Sequence, residues 1–259
     1  MTDTHPEEKN EFEEHKTYFE EFFTITPFFK ALTDERTTGE IQELVALCKF
    51  NQSDKILDLC CGQGRHSNKL RQFGFKAIGF DFSRTLLSIA QKNAADSDSG
   101  ALFVRGNMKE LPFQDAAFDW TLSLFGSFGF LSNADNEKTL AEVVRILKPG
   151  GRLLLEIQNK DSSMKWDGKE SRHELESGGY LIQNSDFCPE TRRMKIRRTF
   201  YRGDRKDEVS ISYRLYTVPE ISGLLASRGL EVLDVWGGLS GKTLDVDCRS
   251  MVVCSRKIL

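Results

Sequence analysis

The first clear rhythm in the chain is helical. Thr38–Lys49 (TGEIQELVALCK) spaces Ile41, Leu44, Val45, Leu47 and Cys48 to one side, which predicts an amphipathic helix. A polar turn over 51–55 then leads into the apolar run of KILDL, a buried strand. From there the pattern alternates. LDLC is a strand, RHSNKLRQFG a helix closing on Gly74, KAIGFD a strand and SRTLLSIAQKNAAD a helix. LFVRGN and FDWTLSL follow as strands, then the helix NEKTLAEVVRILKPGG with its Pro-Gly-Gly stop, then the strand RLLLEI. Strands alternating with helices predict a parallel sheet covered by helices on both faces.

Past Asn159 the rhythm changes. Residues 160–177 are polar with little periodicity, and GGYLIQNSDF, RMKIRRTFYR and EVSISYRLYT then predict three antiparallel strands joined by CPETR and GDRK turns. The helix PEISGLLASRGL, opened by Pro219 and closed by Gly229, resumes the earlier pattern, and EVLDVWGG and SMVVCSRK read as closing strands. Ahead of the first helix, Phe12, Tyr18, Phe19, Phe22 and Phe23 approximate a helical stripe that Pro27 interrupts. Such a stripe either packs on the core or forms a lid over a pocket. The expected organisation is an arm over 1–37, a core over 38–159, an inserted meander over 160–217 that is a lid or an interface, and a return to the core over 218–259.

Composition narrows the class only modestly. The chain has 259 residues, 39% of them apolar, enough for one large α/β unit with an appended lobe. A net charge of -3 gives no global pull toward nucleic acid or anionic membrane. Eight acids against two bases in the first 21 residues predict a frayed tip rather than a signal peptide. With no apolar run near the roughly 20 residues that span a bilayer, the expectation is a soluble, cytoplasmic chain. Adjacent Cys60 and Cys61 would point to opposite faces of an extended segment, and no His/Cys cluster accompanies them, so no metal site is expected and reduced thiols are the default.

Candidate chemistry centres on ILDLCCGQGRHS. In open α/β sheets a glycine-containing turn after a strand lets backbone N–H groups and a helix N-terminus approach a ligand, and Gly62 and Gly64 occupy that place. A dinucleotide fingerprint would need glycine at position 67, where the chain has Ser67, which argues against a nicotinamide-dependent dehydrogenase. Asp81, 19 positions beyond Gly62, stands where an acid can accept hydrogen bonds from ribose hydroxyls, or it caps the helix that follows, as Ser83 also could.

ILDLCCGQGRHS, AIGFDFS, FVRGNMKELPF, FDWTLSLFGSFGFL and LKPGGRLLLEI, in this order and spacing, resemble the successive motifs of class I S-adenosylmethionine-dependent methyltransferases. The resemblance covers about residues 40–158, and the tail is more loosely similar to small-molecule methyltransferases, including sugar-amine N-methyltransferases. It implies a Rossmann-like, seven-stranded, mostly parallel sheet with an inserted antiparallel meander, and S-adenosyl-L-methionine as cofactor. It further implies that Asp58 and the turn Cys60, Gly62, Gly64 border the methionine portion, that Asp81 holds the ribose and that Phe82 packs on the adenine. Asn107 and Met108 would meet the adenine edge, and Leu124 would offer backbone near the methionine ammonium. Two positions depart from the family pattern: Cys60 stands at the usual first glycine of the turn, and Asn107 at the usual aspartate.

The implied reaction is in-line methyl transfer to a small-molecule amine or hydroxyl, in which positioning supplies much of the rate and no covalent enzyme intermediate is required. Phe125, Phe128 and Phe130 either line an acceptor pocket or plug the core. Tyr18, Arg214 and Tyr216 are the catalytic or acceptor-recognition candidates, with His15 and His66 as further acid/base possibilities; none is assigned. Between Pro189 and Lys206 eight bases face two acids, a strip that is either the solvated side of a strand or a phosphate-docking surface. The alternatives are therefore an RNA methyltransferase or a non-catalytic S-adenosylmethionine-binding protein, although the motifs of exocyclic-amino and cytosine C5 methylation are missing. A monomer or homodimer that contacts no membrane completes the expectation.

Overall fold

The computed structural model describes residues 13–258, so Phe12 and the expected fraying of the tip lie outside the described residues. Seven strands form the main sheet: β1 (Lys55–Leu59), β2 (Lys76–Asp81), β3 (Leu102–Arg105), β4 (Phe118–Ser123), β5 (Leu147–Gln158), β10 (Leu230–Trp236) and β11 (Ser250–Lys257). Their order is β10-β11-β5-β4-β1-β2-β3, and β11 alone runs antiparallel to its neighbours. The chain order reverses between β1 and β4, which leaves a crevice at the carboxyl ends of these strands, where open α/β sheets hold ligands.

Apolar side chains on alternate positions of the central strands explain the layers. Leu57, Leu153 and Leu155 face α5 (Asn133–Ile146) and α7 (Val218–Ala226), meeting Leu140, Val143, Ile221 and Leu225. Ile56, Leu122 and Leu154 face the other way, onto Ile41 and Leu44 of α2 (Asp34–Cys48). Each such fully buried side chain contributes about 1.5–3 kcal/mol relative to exposure. Helix ends follow local chemistry: Thr33 caps α2, and Thr217 with Glu220 forms a capping box on α7. The helix expected to stop at the Pro-Gly-Gly segment ends a little earlier, at Ile146, because 147–151 already joins the irregular start of β5.

The inserted sheet has four strands rather than three: β6 (Lys169–Glu174), β7 (Tyr180–Cys188), β8 (Arg193–Arg202) and β9 (Arg205–Arg214), all antiparallel. The region read as aperiodic contains the short helix α6 (Lys160–Met164) and the edge strand β6, whose KESRHE sequence is polar because no further strand covers it. The aromatic stripe of the arm is an irregular run. A π-helical turn at Tyr18–Phe22 passes into a 3-10 turn at Phe23–Ile25 and the short helix α1 (Pro27–Lys30). Tyr18, Phe22 and Phe23 pack against Leu181, Met194, Ile196, Phe200, Val209 and Ile211 of the inserted sheet. Arm and meander thus share a separate apolar core above the crevice. Among the described residues no helix is long and apolar enough to cross a membrane.

Candidate cofactor and acceptor site

The turn after β1 adopts an unusual backbone. Cys60 (φ 62°), Gly62 (φ 55°) and Gly64 (φ 70°) all lie in the left-handed region. For Cys60 that conformation costs about 1–2 kcal/mol relative to glycine, and its Sγ rests 3.5 Å from the Met108 Sδ. Gly64 has a steric reason as well: a Cβ there would come within 2.6 Å of the Phe103 ring and 2.7 Å of the Ala90 Cβ. The turn thereby carries the chain directly into α3 (Arg65–Gln72).

Asp81 fastens this turn to the end of β2. Its Oδ2 accepts the Gly62 N–H at 2.9 Å and its Oδ1 accepts the Ser83 N–H at 2.8 Å. Burial pushes its pKa up to about 6, against the pull of those two N–H groups. Asp58, 1% exposed, accepts the Ser67 hydroxyl at 2.6 Å, and burial raises its pKa as well. Burial and the Asp58 and Asp81 carboxylates keep the thiols of Cys60 and Cys61 well above their usual range, so neither is a reactive thiolate.

These groups open onto one cavity of about 1100 Å³. Asp58, Cys60, Gly62, Asp81, Phe82, Asn107, Met108 and Leu124 all line it; Gly64 does not, and serves the packing of the turn instead. The Asn107 Oδ1 accepts the Lys109 N–H at 3.0 Å. Opposite this end, the arm and the inserted sheet supply Tyr18, Phe28, Met194, Ile196, Ile211 and Tyr213. A pocket for one drug-sized ligand spans about 300–1,000 Å³, so this cavity has room for two molecules side by side. Among the described residues no cluster of His, Cys, Asp or Glu is arranged to hold a metal ion.

The candidates for acid/base work separate. Tyr18 lines the cavity, its pKa raised by burial, so the phenol stays protonated. Arg214 and Tyr216 lie outside the lining: Arg214 pairs with Glu220 at 3.1 Å, and the Tyr216 hydroxyl accepts a 3.5 Å bond from Asn136. His15 lines the cavity, but burial and the nearby Arg193 push its pKa down to about 3. Its Nε2 accepts the Ser212 N–H at 2.7 Å, so the proton resides on Nδ1 and the ring faces its surroundings as a donor, not a base. His66 bonds Glu40 at 2.9 Å beside Arg65 and Arg36. Of the three phenylalanines after β4, Phe125 and Phe130 line the cavity, whereas Phe128 packs in the core against Tyr216.

Several participants escaped the sequence reading. Glu20 of the arm accepts hydrogen bonds from Ser83 Oγ (3.1 Å), Arg84 N–H (2.8 Å) and Thr85 N–H (2.9 Å), capping α4 (Arg84–Asp96) from outside the sheet. Phe19 stands edge-on to both Phe82 (6.2 Å) and Phe130 (5.6 Å), roofing the cavity. The guanidinium groups of Arg65 and Arg36 lie 5.3 and 5.6 Å from the Phe125 ring centroid. Several arginines of the basic strip are engaged within the protein, while Lys195, Arg197 and Lys206 stay exposed. Arg192 pairs with Glu220, Arg202 and Arg205 share Asp207, and Arg193 donates to the Phe130 and Leu131 carbonyls. Arg198 turns inward.

Sheet order, crevice and turn define a Rossmann-like α/β protein with a large cavity at the β1–β4 switch point. Residues 56–151 match the family model described as a methyltransferase domain. A demethylmenaquinone methyltransferase from Paenarthrobacter aurescens (strain TC1) is 29% identical over 138 residues, which are 52% of this chain and 52% of that protein. The chain spans about half the length of the curated relatives it matches. Among solved structures, the CcbJ methyltransferase from Streptomyces caelestis superposes with a TM-score of 0.75 at 18% identity, covering 88% of this chain and 91% of that one. S-adenosylmethionine-bound CalS10, an amino pentose methyltransferase from Micromonospora echinaspora, gives a TM-score of 0.60 at 19% identity over 99% of both chains. The match over residues 56–151 is thus to a methyltransferase domain, and the chain as a whole shares the Rossmann-like fold of these solved methyltransferases.

Proposed function

We propose that this chain binds S-adenosylmethionine in the crevice and transfers its methyl group to a small-molecule amine or hydroxyl held between the crevice, the arm and the inserted sheet. The observation that carries the reading is the convergence of the left-handed turn at Cys60–Gly64, the Asp81 carboxylate, Asn107 and Leu124 around one cavity large enough for two ligands. The cofactor supplies an electrophilic methyl on a sulfonium. On this reading Asp81, a carboxylate with acceptor capacity on both oxygens beyond the Gly62 and Ser83 N–H groups, accepts the ribose hydroxyls. Phe82 covers the adenine, Asn107 meets its edge, and the turn with Asp58 borders the methionine portion.

The chain's own residues exclude water and fix approach. Phe19 and Tyr18 roof the site, held down by the Glu20 cap on α4. At neutral pH His15 is a neutral imidazole whose depressed pKa leaves it a poor base, and the Tyr18 phenol keeps its proton, so an amine acceptor enters as the free base or loses its proton to solvent. The test is calorimetric titration of the chain with S-adenosylmethionine, S-adenosylhomocysteine and NAD in parallel. Micromolar binding of the first two with none of the third is expected; binding of NAD alone would overturn the proposal.

A further inference from the structure

Resting on that reading, the wall of the cavity remote from Asp81 names the chemistry of the acceptor. The strand β8 turns Met194, Ile196, Arg198 and Phe200 to its inner side, three apolar residues and one cation. Arg198 is only 7% exposed, yet it forms part of the cavity lining. Its Nε donates to the Gln183 Oε1 at 3.0 Å, and its guanidinium lies 4.7 Å from the Tyr18 ring and 4.9 Å from the Phe28 ring. Its Nη1 has no hydrogen-bond partner, and among the described residues no carboxylate forms an ion pair with it.

A buried guanidinium without an anion is an unusual expense for a fold, since charged groups out of water are paired or neutralised. Burial lowers the Arg198 pKa, opposed by the Tyr18 and Tyr213 phenols. Among the described residues its neighbours offer no negative charge. Asp58 and Asp81 are the carboxylates among the described lining residues, and both belong to the opposite, cofactor end. Around Arg198 stand instead His173, Ser171, Gln183 and Tyr18, with the cationic Arg249 further along the same wall. The rest of that wall is apolar, from Phe28 through Met194, Ile196 and Ile211.

We propose that the methyl acceptor is a small organic acid, an apolar or aromatic body carrying an oxyanion group, and that Arg198 is the residue that receives the oxyanion. A guanidinium framed by two aromatic rings is already ordered, so binding a carboxylate requires little further loss of side-chain freedom. The segment matched by the methyltransferase family model ends at residue 151, before the strand that carries Arg198, so the acceptor preference belongs to this chain's inserted sheet.

The test uses benzoate and benzamide, equal in ring and size and different in charge, titrated into the full chain saturated with S-adenosylhomocysteine. Benzoate should bind about tenfold or more tightly than benzamide. Arg198→Gln should abolish that preference, and Arg198→Lys should keep part of it. Equal binding of the two probes, absence of binding by both, or a preference that survives in Arg198→Gln would overturn the proposal. The wild-type comparison stands even if a variant fails to fold. Should S-adenosylhomocysteine itself not bind, that failure belongs to the cofactor reading; the same pair titrated into the ligand-free chain then decides the anion site, by the same two outcomes.

Discussion

Asp81 ties the geometry of the site to a pH dependence that can be worked out in advance. Its carboxylate is buried, with a pKa raised to about 6, and it is the proposed acceptor of both ribose hydroxyls. Only the ionised form offers acceptors on both oxygens, because a protonated oxygen becomes a donor. Cofactor affinity should therefore be full above the folded pKa and fall as pH drops through it. With competition by a single proton, the apparent Kd rises about elevenfold at about pH 5 and barely at all at about pH 8, a difference of about 1.4 kcal/mol.

Asp81→Asn removes the titration and more. An amide has one acceptor oxygen, so it cannot accept both the Gly62 and the Ser83 N–H, and the turn loses one bond whichever way the amide points. Losing a charge-assisted bond to the ligand costs about 1.5–3 kcal/mol, so the variant should bind S-adenosylhomocysteine at least about tenfold more weakly. Its Kd should show no inflection near the wild-type value. Calorimetry across this pH range on both proteins is the assay, with circular dichroism to confirm folding. An unchanged wild-type Kd between the two ends of the range, or a variant that binds as tightly as the wild type, would refute the reasoning.

Other perturbations follow from named contacts. Gly64→Ala places a methyl group against Phe103 and Ala90 at a positive φ, and should lower stability by about 3 kcal/mol, read as a fall in the unfolding midpoint in urea. Glu20→Ala removes the external cap of α4 and the tether of the arm; a loss of about 1–2 kcal/mol and faster proteolysis within the arm are expected. Desolvation of the Glu20 carboxylate is outweighed by the N–H and hydroxyl groups it accepts, so its pKa is lowered, and the stabilisation it gives is present above the unfolded carboxylate pKa and fades as pH falls through the lowered one. Bulk tRNA should show no strong salt-sensitive binding between about 50 and 200 mM salt, because Arg192, Arg193, Arg202 and Arg205 of the basic strip are engaged with Glu220, Asp207 and backbone carbonyls; strong, salt-dependent binding in a filter assay would support the RNA alternative. Tyr18→Phe should change turnover only if the phenol meets a ligand, and an unchanged rate would reduce Tyr18 to a roofing side chain.

Strands with apolar runs were legible because burial on both faces leaves little alternative composition, as in Leu153–Leu155 and in Ile56–Leu59, interrupted only by the buried Asp58. The left-handed turn after β1 was legible because glycine pairs after such a strand have few other uses, and Asp81 meets it at the expected spacing through the Gly62 N–H. The edge strand β6 was not, since its exposed KESRHE carries no hydrophobic alternation to detect. Glu20 gave no local signal either: its partners stand more than sixty residues away, on the far side of the sheet's first helical crossover. Arg214 and Tyr216 looked functional by residue type, yet Glu220 and Asn136 occupy their polar groups. Arg198 differs. Its period-two position with Met194, Ile196 and Phe200 already placed it on the buried face, and counting bases along the strip concealed that register.

The most direct measurement is a crystal structure of the chain with S-adenosylhomocysteine. The account predicts ribose hydroxyls on the Asp81 carboxylate, the adenine between Phe82 and Asn107, and the amino-acid end against the Cys60–Gly64 turn. A ligand seated elsewhere in the cavity, or Asp81 left bonded to Gly62 and Ser83 alone, would contradict it.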